Sequence, residues 1–184
     1  MTGRHAAALV TLAVLGPHLQ AQSSWCQFRP GTLGGIISTF RSDVIDTLRP
    51  GQRHVVVSAS TRAIRAVVTY LGDSRALLPM DSTFLDDYLF RLHRIASDSA
   101  FRALFHRELR FVEGNDTLWL PVQDGLISGL QQEARLGDRV TLFVRWLGLH
   151  QEGREVSWVF VVNEFWTQAS DSSWRDYFTT QCGS

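Results

Sequence analysis

From Thr32 to Leu48 the apolar residues Leu33, Ile36, Ile37, Phe40, Val44 and Leu48 fall on one stripe, with Ser38, Arg41, Ser42 and Asp46 opposite. That spacing predicts an amphipathic helix, continuing through Gly34-Gly35 and ending before Pro50-Gly51. The period then shortens. His54–Ser60 and Ile64–Leu71 are rich in β-branched residues and read as two strands joined by a tight connection around Thr61-Arg62. A helix follows, capped by Asp81 or Ser82, with Leu85, Tyr88, Leu89, Leu92 and Ile95 on its stripe. Ser97-Asp98-Ser99 breaks it, and Phe101, Leu104 and Phe105 belong to a second helical piece.

Leu109–Val112 and Thr117–Val122 read as a hairpin, and Asp124 is expected to cap a helix running to about Leu136. Arg139–Leu147 and Val156–Trp166 form the clearest strand pair. The second reads VSWVFVVNEFW, apolar on both faces, as a central strand covered on two sides does. Asp171 opens a terminal helical turn carrying Trp174, Tyr177 and Phe178. Two stretches, Gly72–Pro79 and Gly114–Pro121, share Gly, Leu and Pro at matching positions; this is recurring local grammar rather than duplication.

Together these elements predict an α+β fold: a single domain with a curved, mostly antiparallel sheet of five to seven strands and flanking helices. A helix between the third main strand and the last two also suits an OB-like barrel with an insertion, as a likeness of layout.

Residues 1–21 follow another grammar. Arg4-His5 is a basic head, Ala6–Leu15 an apolar decamer broken only by Thr11, Gly16-Pro17 a helix breaker and Ala21 a small closing residue. This is the build of a cleaved export signal. The decamer is too short to span a bilayer, which takes about 20 residues. The expectation is a periplasmic or extracellular protein whose mature chain, 22–184, is one globular domain without a membrane span.

Composition narrows the chemistry. The 18 basic residues balance 18 acidic ones, so no field favours nucleic acid or an anionic membrane. All 18 are arginine, which rules out a Schiff-base lysine, a lysine base and a phosphate-loop lysine. Cys26 and Cys182, an even pair in an exported chain, are expected to form a disulfide.

Catalytic signatures are sparse. His54, His93, His106 and His150 show no metal-ligand spacing, so no metal or cofactor is expected. In His106-Arg-Glu-Leu-Arg110, His106 and Glu108 share a face if the segment is a strand, and such a pair can do acid/base work. No serine lies in a G-x-S-x-G elbow; Gly125-Leu-Ile-Ser-Gly129 has the wrong order. Glu164, between apolar neighbours, is expected to pair with Arg145 or Arg139 on the adjacent strand. Of the six tryptophans, Trp119, Trp146 and Trp158 lie in predicted strands, where core packing is the default. The first functional expectation is a non-catalytic binding module for a protein, peptide, glycan or small apolar ligand. The others are a hydrolase using a His/Glu pair and a structural accessory of the envelope.

Overall fold

The computed structural model describes residues 25–41, 54–93, 104–153 and 155–182. The export-signal segment 1–21, the second half of the first expected helix and the Phe101 region lie outside them. In chain order the elements are β1 (Arg29–Pro30), α1 (Leu33–Phe40), β2 (His54–Ala76), α2 (Pro79–His93), β3 (Arg107–Glu113), β4 (Asp116–Val122), α3 (Asp124–Glu133), β5 (Arg139–Glu152), β6 (Glu155–Trp166) and α4 (Asp171–Cys182). A short 3-10 turn, Gln168–Ser170, leads into α4.

The strands make one six-stranded sheet in the order β1-β2-β3-β4-β6-β5, in which β2 also pairs with β5. The pairing circuit β2-β3-β4-β6-β5-β2 is therefore continuous. Its seam is thin, because β4 meets β6 through a single parallel bridge, Val122 with Val162. The β1–β2 pairing is also parallel and the rest are antiparallel.

The largest departure from expectation is β2. Instead of two strands and a turn it is one strand of 23 residues, which pairs with β5 over His54–Thr69 and with β3 over Thr69–Ala76. Thr61-Arg62 sits at a register shift between Val57 and Arg62, not at a reversal. Gly72, at φ 76°, sits at a second shift between Tyr70 and Ser74, where a positive φ suits glycine. Gly114, by contrast, turns the β3–β4 hairpin, so the two similar stretches do different jobs.

Each of β2 to β6 sends alternate side chains into the main core, among them Ala66, Phe111, Val122, Leu142 and Val162. Helices α1 and α3 complete it with Leu33, Ile36, Ile127 and Leu130. The start of α1 is fixed twice: Thr32 Oγ1 accepts from the Gly35 N–H, and the two carboxylate oxygens of Glu113 accept from the Leu33 and Gly34 N–H groups at 2.9 and 2.8 Å. A carboxylate there also complements the helix dipole.

The strand buried on both faces along nearly its whole length is β5 rather than β6, because Val140, Leu142, Val144 and Trp146 enter the main core while Phe143 and Leu147 pack in the two other clusters. On the side away from the main core, α2 covers Leu147, Val159 and Val161 with Phe84, Leu85 and Tyr88. Next to it, α4 brings Trp174, Tyr177 and Phe178 onto Phe143, Trp166 and the segment holding Trp25 and Phe28. The Cys26–Cys182 disulfide closes this second seat, with a Cα–Cα distance of 5.4 Å. No helix among the described residues is long and apolar enough to cross a membrane.

Candidate functional site

A cleft of about 680 Å³ opens where β2, β5 and β6 meet the end of α3 and the start of α4. Arg139, Arg175, Glu133 and Asp138 are among the residues that line it, with Thr167 and Trp166. Local bonds shape this rim. Thr167 Oγ1 donates to Glu133 Oε2 at 3.2 Å, the Thr167 N–H donates to Ser170 Oγ at 3.0 Å, and Asp138 Oδ2 accepts from the Arg135 N–H at 2.8 Å. Two arginines and two carboxylates in the lining give the cleft a polar wall of little net charge.

A second cleft, about 300 Å³, is lined by His106, Asp124, Ser128 and Gln131. Asp124 does not cap its own helix as expected. Its Oδ1 accepts from the His106 N–H at 3.2 Å and its Oδ2 lies 2.6 Å from His106 Nδ1, tying the start of β3 to the start of α3. Both side chains are largely exposed.

His106 and Glu108 are not brought together. Regular pairing begins at Arg107, so His106 stays outside the ladder with Asp124, while Glu108 is 2% exposed and its Oε2 accepts from Arg75 Nε at 2.5 Å. A second buried polar pair anchors the first turn of α2, where Asp81 Oδ1 lies 2.9 Å from His150 Nε2 on β5. The His150 and Asp81 side chains are 7% and 13% exposed. Burial pushes the Glu108 carboxyl above its usual range; the hydrogen bond from Arg75 opposes this and the charge of Asp81 adds to it.

Sequence reading missed these two pairs because their members lie far apart. A signal was present in α2. Asp81 precedes Leu85 by four residues, so what reads as a cap is a carboxylate on the apolar stripe. The side chain of His93 is outside the described residues.

Glu164 takes neither expected arginine. Its Oε1 accepts from the N–H of the following residue, Phe165, at 2.9 Å, and burial raises its pKa. Arg145 instead lies over the Phe28 ring, 5.1 Å from its centroid. The cause is a register shift in the β5–β6 pairing: Glu164 faces Phe143 and Val162 faces Val144, which leaves Asn163 bulged. A bulge of one residue sends the following side chains to the other face, so Phe160 and Val162 enter the main core while Trp166 joins the α4 seat.

The tryptophans divide three ways. Trp146 is 2% exposed in the core, with Trp158 packed beside it. Trp119 is half-buried under Arg75, whose guanidinium lies 4.3 Å from the ring centroid. Trp25, Trp166 and Trp174 belong to the α4 seat. Among the described residues no group of three or more His, Cys, Asp and Glu has the geometry to hold a metal ion. No protein-family model, curated protein or solved structure matches this chain.

Proposed function

We propose that the chain is an exported binding module, periplasmic or extracellular, that takes a hydrogen-bonding ligand such as a glycan or peptide end in the 680 Å³ cleft. The observation that carries this reading is a filled interior beside an open rim cleft with two arginines, two carboxylates and an indole. Such a surface orients a polar ligand through a few fixed groups and offers little to an apolar one. The apolar decamer Ala6–Leu15 and the Cys26–Cys182 bond support export, because disulfides persist in oxidising compartments. Intact mass of material secreted from the full chain tests the export part, with a mature start at Gln22 expected.

Binding is tested by titrating neutral oligosaccharides and short peptides while following tryptophan fluorescence. Arg139→Ala is expected to weaken a saturable signal about tenfold, the loss of one hydrogen bond to a charged group. An unchanged titration in that variant removes the cleft as the site.

One observation favours a second reading, a hydrolase. The His106–Asp124 contact at 2.6 Å opens on a cleft that Ser128 also lines, and a carboxylate on Nδ1 is how a histidine base is oriented. A serine-reactive fluorophosphonate that labels Ser128, with labelling lost in His106→Ala, is the outcome this reading requires.

A further inference from the structure

We propose that the 680 Å³ cleft takes the C-terminal end of a peptide, and that Arg65 at its margin receives the terminal carboxylate. This names the ligand of the cleft reading above and rests on it.

Position comes first. Alternation along β2 sends Ile64, Ala66 and Val68 into the main core, so Arg65 and Val67 share the opposite face. Val67 lines the cleft and is 47% exposed. Arg65 stands one step along that face, about 7 Å away. Its guanidinium carbon lies 3.7 Å from the ring centroid of Phe178 on α4 and 5.8 Å from that of Trp166, which also lines the cleft.

No carboxylate neutralises this cation among the described residues. Its guanidinium enters no ion pair or hydrogen bond there; Nε is buried without a partner, while the Nη groups, also unbonded, reach solvent. Burial, and after it the like charge of Arg29, lower its pKa. Arg139 and Arg175, by contrast, share their part of the lining with Glu133 and Asp138. The cleft therefore has a balanced stretch and, at the Arg65 margin, a positive one. Stacking on Phe178 sets the plane of the guanidinium and leaves its edge for paired bonds to a carboxylate.

A peptide end fits this arrangement better than an acidic sugar. Trp166 is the one aromatic ring in the lining among the described residues, and its contacts with Phe143, Trp174 and Phe178 at 5.6 to 5.9 Å commit it to the α4 seat. Val67, bare beside Arg65, suits the apolar side chain of a last residue.

The test titrates the intact chain with acetyl-glycyl-alanyl-valine, once as the free acid and once as the C-terminal amide, following tryptophan fluorescence, with glucuronic acid as the sugar arm. The acid is expected to bind about tenfold more tightly than the amide, the worth of one hydrogen-bonded charge pair. In Arg65→Gln that preference is expected to vanish. Should this variant not fold, Arg65→Lys, which keeps the charge and loses the fork, is expected to narrow it. Equal binding of acid and amide, both weakened by Arg139→Ala, overturns the carboxylate assignment and leaves the cleft reading standing. A titration indifferent to Arg139→Ala removes the cleft reading and this one with it. Binding of neither peptide, an acid preference unchanged in the Arg65 variants, or Arg65-dependent binding of glucuronic acid alone overturns the peptide assignment.

Discussion

Two helices lie on the same side of the sheet and are held there by opposite means. Helix α4 sits in an aromatic nest. Phe143, 0% exposed, has ring centroids of Trp25, Phe28, Trp166, Trp174 and Phe178 within 4.8 to 6.0 Å, and a disulfide ties the helix end to the opposite segment. Helix α2 has a smaller apolar seat and, at its first turn, a buried polar contact between Asp81 and His150. The same sheet therefore carries one helix held by aromatic packing and a covalent tie, and one held by a smaller apolar seat and a polar contact.

The comparison breaks hardest at Gly148. A Cβ there would lie 2.0 Å from the Val56 carbonyl oxygen and 2.9 Å from Phe84 Cζ, at φ 149°. Gly148→Ala is expected to cost about 4 kcal/mol or more, read as a loss of urea midpoint, and to free α2 before α4. Phe143→Ala should cost about 4 kcal/mol through the cavity it leaves in the aromatic nest, with loss of the near-ultraviolet tryptophan signal and little change in α2 exchange. Replacing Cys26 and Cys182 by serine removes a crosslink across 156 positions. About 3 kcal/mol is expected, as a lower melting temperature with both helices retained.

His150→Gln weakens the contact to a buried carboxylate and should cost about 2 kcal/mol, confined to α2 in hydrogen exchange. The smallest effect is the pH dependence itself. Glu108 and Glu164 both have pKa values raised first by burial, so each stabilises the fold below the unfolded carboxylate range and loses that contribution as pH rises through its folded value. The urea midpoint is expected to drift down on the alkaline side and to flatten in the Glu108→Gln, Glu164→Gln double variant.

What the sequence showed and hid divides along the same lines. The first turns of α1, the β3–β4 hairpin, the β5–β6 pair, the terminal helix and the disulfide all follow from residues close together or from a cysteine count. The continuity of β2 was hidden, because the shift at Arg62 and the kink at Gly72 are decided by which partner strand lies alongside. The two buried polar pairs were hidden for the same reason: Arg75 and Glu108 are 33 residues apart and Asp81 and His150 are 69. Glu164 was misread through the Asn163 bulge, which spacing alone does not reveal. Period and local capping are properties of a segment; burial of a charged group is a property of the assembled sheet.

The bond between Cys26 and Cys182 makes the intervening polypeptide a covalent ring. A protease that nicks any turn inside that ring yields two pieces still joined as one molecule, unchanged in size on a gel until a reductant is added. Resistance of this protein to cleavage is then visible only when digestion is compared with and without reduction.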